Sequence, residues 1–118
     1  MNTISANGID INYCLDIQKS KNPDAPVVML SNSLLSNYAM WDDQIEELTE
    51  HFTVLRYDTR GHGGTDAPAS PYSIDLFVDD VVGLLNILDI EKVHFVGLSL
   101  GGFIGQLFLP DIQTMFVH

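Results

Sequence analysis

The 118-residue sequence predicts an α/β protein built on a mostly parallel sheet. Short apolar runs that suit buried strands alternate with segments of helical periodicity from residue 27 onwards. The last of these runs, Val93–Val96, leads into Gly97-Leu98-Ser99-Leu100-Gly101 and the start of a helix. This order implies right-handed crossovers, helices on both faces of the sheet, and reactive groups at the carboxyl ends of the strands.

Residues 3–16 predict an N-terminal β-hairpin. Asn7-Gly8 favours a two-residue type I′ turn. Four apolar or aromatic side chains then alternate on one face of the second strand: Ile9, Ile11, Tyr13 and Leu15. Cys14 alternates with them and is interpreted as a structural residue.

Two strands and a helix are predicted between the hairpin and residue 58. Val27–Leu30 is entirely apolar, which is typical of a strand covered on both faces. Phe52–Tyr57 is the next strand. The helix between them ends near Glu50 and carries three apolar residues at helical spacing: Trp41, Ile45 and Leu48.

A loop over residues 58–71 precedes the clearest helix of the sequence. Ser73 is the predicted N-cap, and Asp75 lies in the first turn. Six apolar residues then form one amphipathic stripe: Phe77, Val78, Val81, Leu84, Leu85 and Leu88.

The G-x-S-x-G pattern around Ser99 predicts a nucleophile at a sharp turn between a strand and a helix. A Cβ at Gly97 or Gly101 would clash within such a turn, whereas glycine leaves the space empty. Gly102 lets the following helix lie close to the strand. The helix start would direct N–H groups at the point where an oxyanion develops during acyl transfer.

Composition excludes several classes of function. With 5 basic and 16 acidic residues the net charge is −11, and no basic patch is available for nucleic acid. No apolar run approaches a membrane span, and the polar N-terminus has no signal-peptide layout. The single cysteine excludes an internal disulfide and fits a reducing cytoplasm. No spacing predicts a metal site, and no cofactor is expected.

The sequence resembles the 3-oxoadipate enol-lactonases of the α/β-hydrolase superfamily over roughly residues 8–107. The resemblance rests on SNSLLSNYAMW, on YDTRGHG and on FVGLSLGG. It implies the N-terminal half of an α/β-hydrolase domain. It also implies the opening of a lactone formed during the breakdown of aromatic compounds through the β-ketoadipate pathway.

Residue by residue, the resemblance implies that Ser99 is the nucleophile and that the N–H groups of Leu34 and Leu100 form the oxyanion hole. The role of Leu100 also follows from its position directly after the nucleophile. Asn32 and Ser33 would shape the first loop of this site, unless they form an ordinary polar turn. Trp41 would lie near the pocket, although its helical spacing favours a place in the core.

The loop Arg60-Gly61-His62-Gly63 is expected to be structural, and His62 is not expected to be the base. Asp58 beside Arg60 predicts a local charge pair. The other two internal histidines have ordinary interpretations, His51 as a cation at the end of a helix and His94 as a strand residue.

A serine hydrolase also needs a base and an acid that orients it, in the order Ser, Asp or Glu, His. Asp111 and His118 follow Ser99 in that order, but the strands expected between the partners are absent, so we do not assign them. We therefore expect residues 1–109 to be the N-terminal half of the domain. Residues 110–118 are expected to be an atypical tail after a frameshift or premature stop shortly after Gln106, because Pro110 breaks a helix interior.

Such an ending would leave the strand at residues 93–96 as an unpaired apolar edge. Aggregation, self-association through that edge, or poor folding would follow.

Three classes of function remain from the sequence. The first is a lactone-opening serine hydrolase, incomplete in this chain, with another esterase or a cofactor-free perhydrolase as alternatives. The second is a non-catalytic fragment or interaction protein. The third, a dinucleotide-binding module, is disfavoured because GLSLGG lacks the G-x-G-x-x-G spacing. Dehalogenases and epoxide hydrolases are disfavoured because they have an aspartate where Ser99 stands.

Overall fold

The computed structural model describes residues 2–68, 72–106 and 113–117. The strands are β1 (Asn2–Ala6), β2 (Ile9–Asp16), β3 (Val27–Ser31), β4 (Thr53–Tyr57), β5 (His94–Leu98) and β6 (Gln113–Val117). The helices are α1 (Asp42–Leu48), α2 (Ile74–Ile87) and α3 (Leu100–Gln106), and a 3₁₀ helix, Tyr38–Trp41, precedes α1. In the described part of the chain the strands form one mixed sheet in the order β1-β2-β4-β3-β5-β6.

The predicted hairpin is confirmed. β1 and β2 pair antiparallel with Ala6 opposite Ile9, and the turn residues Asn7 and Gly8 have φ values of 51° and 79°. Two successive positive φ angles are the signature of the type I′ turn that Asn-Gly favours. β2 then pairs antiparallel with β4, which attaches the hairpin to the main sheet.

Four neighbouring strands of the sheet run parallel, in the spatial order β4, β3, β5 and β6. The predicted mostly parallel sheet is therefore confirmed. Helices α2 and α3 cover one face, whose buried cluster consists of Ala6, Ile9, Ile11, Met29, Leu55, Tyr57, Val81, Leu84, Leu85, Val93, Phe95 and Ile104. The 3₁₀ helix and α1 cover the other, whose buried cluster consists of Val28, Leu30, Trp41 and Val54. β3 contributes side chains to both clusters, as its all-apolar sequence predicts.

Helix α2 follows the sequence prediction at its start and along its buried face. The Ser73 hydroxyl accepts a hydrogen bond from Leu76 N at 3.1 Å, which confirms the N-cap. The whole predicted stripe contributes to the core, and Val81 and Leu84 are fully buried. None of the helices within the three described ranges has the length and apolarity that a membrane span requires.

The C-terminus of α2 is a Schellman motif with an aspartate where glycine is usual. Ile90 N donates to Leu85 O at 2.9 Å, and Asp89 N donates to Asn86 O at 3.1 Å. Asp89 has a φ of 58°, which is unfavourable for a residue with a Cβ. Its negative charge also lies beside the negative end of the helix dipole.

Replacing Asp89 by glycine is therefore expected to raise the free energy of unfolding by about 0.5–1 kcal/mol. Urea titration followed by the fluorescence of Trp41, the single tryptophan of the chain, measures this. The same change at the exposed Asp75, in the first turn of α2, is the control and should lower stability. A destabilised Asp89→Gly chain would contradict the interpretation of the motif.

The prediction that the strand before Ser99 is an unpaired edge is wrong. β5 pairs in parallel with β6, from His94 opposite Gln113 to Leu98 opposite Val117. The sequence of β6 contains Thr, Phe and Val, which favour strands, and the length of residues 99–112 suffices for a crossover. Self-association through a free β5 edge therefore loses its structural basis. Leu107 and Pro110, on which the predicted break of the last helix depends, lie outside the described residues.

The predicted pairing of Arg60 with Asp58 is also wrong. Arg60 instead makes a bidentate ion pair with Asp80 of α2, with Nε and Nη2 at 2.9 and 2.8 Å from the two carboxylate oxygens. Asn7 of the hairpin turn donates to the same carboxylate at 2.8 Å. Arg60 and Asp80 are 8% and 3% exposed, so this ion pair is part of the protein interior.

Asp58 has neutral donors instead of a cation. Its carboxylate accepts from Asn12 Nδ2, Gly64 N and Tyr38 N, each at 2.8 Å. These bonds join the end of β4 to β2, to the loop after β4 and to the 3₁₀ helix. Asp58 and Asn12 are both buried, so together they fix the loop in which His62 lies.

Candidate active site

The strained turn predicted at Ser99 is present. Ser99 lies between the end of β5 and the start of α3 with a φ of 55°, in the left-handed region that residues with a Cβ rarely adopt. Such strain persists only when the surrounding structure enforces it, and it is concentrated at functional sites.

The glycines on either side of Ser99 allow three backbone segments to approach closely. A Cβ on Gly97 would overlap the backbone of Gly101 and the amide nitrogen of Gly102. A Cβ on Gly101 would overlap the carbonyl group of Ser31 at the end of β3. The spacing of the G-x-S-x-G pattern therefore reflects direct contact of β5, α3 and β3.

The loop that follows β3, residues 32–36 (the β3 loop), lies against the turn formed by residues 97–101 (the Ser99 turn). Ser31 is opposite Gly97 in the parallel register, so both strands end at the same level. Gly101 N donates to Asn32 O at 3.1 Å and joins the first residue of the β3 loop to α3. The structure therefore brings together the two segments that carry the predicted oxyanion-hole residues, Leu34 and Leu100.

Asn32 and Trp41 bind each other instead of standing free in a pocket. Trp41 Nε1 donates to Asn32 Oδ1 at 2.8 Å, and Asn32 Nδ2 donates to Tyr57 O at 2.8 Å. The expected place of Trp41 in the core is confirmed, since it packs with Val28, Leu30 and Val54. Ser33 is half-buried, and its hydroxyl lies 3.2 Å from Ser36 Oγ.

Tyr57 and Ser31 form a buried polar contact next to Gly101. The Tyr57 hydroxyl lies 2.7 Å from Ser31 Oγ, and both residues are almost fully buried. Sequence reasoning did not identify this pair, although Tyr57 ends the predicted strand over residues 52–57 and Ser31 directly follows the predicted strand over residues 27–30. Burial raises the pKa of Tyr57 well above its ordinary value of 10.0, so the phenol remains protonated in the folded chain.

The raised pKa of Tyr57 makes stability depend on pH in the alkaline range. Its contribution is fully present below the unfolded-state pKa of 10.0 and is lost as the pH rises towards the folded-state pKa. From about pH 10 to about pH 12, we expect the free energy of unfolding to fall less steeply with pH in Tyr57→Phe than in the unaltered chain. The two slopes should differ by at most about 1.4 kcal/mol per pH unit. Tyr72→Phe, which removes a hydroxyl bonded to the Pro68 carbonyl, should retain the full slope. Equal slopes for the unaltered chain and Tyr57→Phe, measured by urea titration, would contradict this account.

The described residues supply no base or acid of a catalytic triad at Ser99. Within residues 2–68 and 72–106, no hydrogen bond joins the Ser99 hydroxyl to a histidine, and His62 Nδ1 lies 3.1 Å from Arg60 O in its own loop. His94 is a half-buried residue of β5, and His51 follows α1. Asp111 and His118 lie outside the described residues.

A cavity of about 560 Å³ lies between β2, β4 and the 3₁₀ helix, and its lining includes no residue of the Ser99 turn or of the β3 loop. The cation at its wall, Arg56, is neutralised by Asp42 at 2.6 Å and Asp16 at 3.1 Å, and stacks over the Tyr38 ring. No cluster of His, Cys, Asp or Glu in the described ranges could hold a metal ion.

The family model for the alpha/beta hydrolase fold matches residues 26–114 of this chain. Its span contains β3 to β5, the β3 loop and the Ser99 turn. The chain therefore belongs to the α/β-hydrolase family, as the resemblance of its motifs predicts.

Within the family the chain is similar to enol-lactonases. It is 40% identical over 104 residues to 3-oxoadipate enol-lactonase 2 of Acinetobacter baylyi, a match that covers 88% of this chain and 38% of the relative. The crystal structure of the enol-lactonase from Burkholderia xenovorans LB400 superimposes with a TM-score of 0.83 at 44% identity, covering 88% of this chain and 39% of that one.

A protein named as a carbamate hydrolase, RutD, from Agrobacterium fabrum is 42% identical over 84 residues, 70% of this chain and 32% of the relative. In each of these matches the chain spans less than two fifths of the relative's length.

Proposed function

We propose that this chain supplies the nucleophile and the oxyanion hole of a serine hydrolase that opens a lactone, with 3-oxoadipate enol-lactone as its substrate. The observation that carries the proposal is the left-handed Ser99 at a strand-to-helix turn in which Gly101 N is hydrogen-bonded to Asn32 O of the β3 loop. The similarity to two named enol-lactonases supports the choice of substrate.

In this mechanism Ser99 Oγ attacks the lactone carbonyl carbon while its proton passes to a general base. The N–H groups of Leu34 and Leu100 donate to the oxyanion of the tetrahedral intermediate. When the intermediate collapses, the ring C–O bond breaks, the leaving oxygen takes the proton from the base, and an acyl-enzyme remains on Ser99. Water, deprotonated by the same base, then attacks the acyl carbon. The bond between that carbon and Ser99 Oγ breaks, the base returns the proton to Ser99 Oγ, and the carboxylate product leaves. The base and its orienting acid would come from the part of the family fold beyond the segment that matches this chain.

Carbamates are the second candidate substrate class because of the similarity to RutD. The chemistry at Ser99 would be the same up to the acyl-enzyme, since a carbamate also presents a carbonyl carbon to the nucleophile. The shape of the pocket would decide between the two classes.

The experiment compares the 118-residue chain with a fusion protein, in which residues 1–106 are joined to the part of the Acinetobacter enol-lactonase that follows the matched segment. We expect the fusion protein to open the enol-lactone and Ser99→Ala to lower kcat by about 10⁴-fold or more. Ser20→Ala, the same change at an exposed turn residue outside the β3 loop and the Ser99 turn, is the matched control and should retain most of the activity.

Turnover of the lactone by the fusion protein, abolished only by Ser99→Ala, supports the proposal. Turnover of a carbamate or of a simple ester but not of the lactone would move the assignment to that class. A folded fusion protein whose rates equal those of its Ser99→Ala variant on all three substrates would overturn it, and would favour the non-catalytic fragment. We expect the fusion protein to be active and the 118-residue chain to show no turnover.

A further inference from the structure

Asn32 connects three elements around the candidate site. Its Nδ2 donates to Tyr57 O at the end of β4, and its Oδ1 accepts from Trp41 Nε1 at the end of the 3₁₀ helix, both at 2.8 Å. Its backbone carbonyl accepts from Gly101 N of α3 at 3.1 Å. Asn32 is 1% exposed, so these bonds are shielded from water.

The β3 loop that begins at Asn32 contains a strained residue and is closed on itself. Leu35 has a φ of 63°, a left-handed conformation that costs free energy for any residue with a Cβ. The Ser36 hydroxyl donates to Ser33 O at 2.8 Å and holds the loop in a tight turn. A strained loop keeps one conformation only when its ends are fixed, and Asn32 fixes the end that contacts α3.

The Asn32 side chain satisfies two groups that would otherwise be buried without partners. Trp41 lies in the core under α1, where its indole N–H has Asn32 Oδ1 as its acceptor. Tyr57 O lies at the end of β4 and accepts from Asn32 Nδ2, which replaces the backbone N–H of a neighbouring strand as its donor. Loss of the amide would favour rearrangement of the loop until both groups find new partners.

We infer that Asn32, held by the Trp41 indole, is a positioning residue that sets the distance between the β3 loop and the Ser99 turn. The catalytic consequence rests on the proposed function, because the two oxyanion donors lie on these two segments. Oxyanion donors act only within a narrow range of distance, and a displacement of about 1 Å can cost about 10²-fold in rate. On this account Trp41 acts through Asn32 and does not contact the substrate.

Amide hydrogen exchange in the 118-residue chain, followed by NMR, tests the positioning role without any catalysis. In Asn32→Ala we expect the Gly101 amide, which donates to residue 32, to exchange about tenfold faster or more. The amide of Met29 in the centre of β3 reports global unfolding and should change less. Asn37→Ala is the matched control, since Asn37 caps the 3₁₀ helix through Ala39 N but makes no bond to α3.

Trp41→Phe is the second variant and keeps an aromatic ring in the core while removing the indole N–H. It should also accelerate exchange at Gly101 relative to Met29, which tests the inference even if Asn32→Ala does not fold. Equal acceleration at Gly101 and Met29 in both variants, or a Gly101 rate unchanged from that of Asn37→Ala, would overturn the inference.

The fusion protein gives the kinetic readout. Asn32→Ala should lower kcat by about 10–100-fold with little change in KM, because the displaced donor acts on the transition state. Asn37→Ala should alter neither constant. If the fusion protein has no lactonase activity while Gly101 exchange responds as expected, the proposed function fails and the positioning role stands. If the fusion protein is active and Asn32→Ala leaves kcat unchanged, the positioning inference fails alone.

Discussion

Replacing Asp80 by alanine is expected to lower the free energy of unfolding by about 3–5 kcal/mol, which is a large part of the stability of a domain of this size. The change leaves the Arg60 guanidinium buried without its bidentate partner and removes the acceptor of Asn7 Nδ2. Since these bonds join the hairpin turn, the loop after β4 and α2, the loss should loosen all three. Urea titration with Trp41 fluorescence measures the effect, and circular dichroism shows whether the variant folds.

Asp79→Ala is the matched control, because Asp79 is the adjacent residue of α2, carries the same charge and is exposed. It should change stability by less than about 0.5 kcal/mol. The double variant Arg60→Met, Asp80→Leu should lose less stability than Asp80→Ala, because it leaves no unpaired charge in the interior. Similar losses for Asp80→Ala and Asp79→Ala would show that the ion pair contributes little.

Replacing Gly101 by alanine is expected to cost about 3 kcal/mol or more, at the upper end of the usual range for overpacking. The added Cβ would overlap the Ser31 carbonyl at the end of β3. Because β3 is a central strand between β4 and β5, its backbone cannot move aside as a flexible side chain can. The variant should also separate the β3 loop from the Ser99 turn, so the fusion protein should lose lactonase activity together with stability.

Gly83→Ala is the control for this change. Gly83 lies inside α2, where the nearest atom to an added Cβ is Asn7 Cβ at 3.3 Å. A gain in helix propensity of about 1 kcal/mol would offset this tighter contact. We therefore expect a change within about 1 kcal/mol of zero. A Gly101→Ala chain as stable as Gly83→Ala would contradict the close approach of α3 to β3.

Local signals predicted the elements that depend on neighbouring residues. Asn7-Gly8 specifies its turn through two positive φ angles, Ser73 specifies the start of α2 through one hydroxyl, and the glycines around Ser99 specify the strained turn through their lack of a Cβ. In each case the cause lies within a few residues of the effect, so the sequence alone contains it.

Contacts between distant segments were not predictable in the same way. Asp58 is the nearer acid to Arg60 in sequence, but the packing of α2 brings Asp80 to the guanidinium from 20 residues away. The pairing of β5 with β6 and the bond between Asn32 and Trp41 likewise depend on where the helices lie. One signal was available for the ion pair, since Asp80 is an acidic residue directly beside Val81 in the apolar stripe, and the chain has only five basic residues to pair with it.

Covalent trapping tests most directly whether Ser99 is the nucleophile. The fusion protein is treated with an alkyl fluorophosphonate, which forms a bond between serine Oγ and phosphorus as fluoride leaves and the serine proton passes to the base. Peptide mass spectrometry then identifies the modified residue. We expect one adduct, on the peptide that contains Ser99, and none in Ser99→Ala. An adduct on another residue, or an active fusion protein that remains unmodified at Ser99, would contradict this expectation.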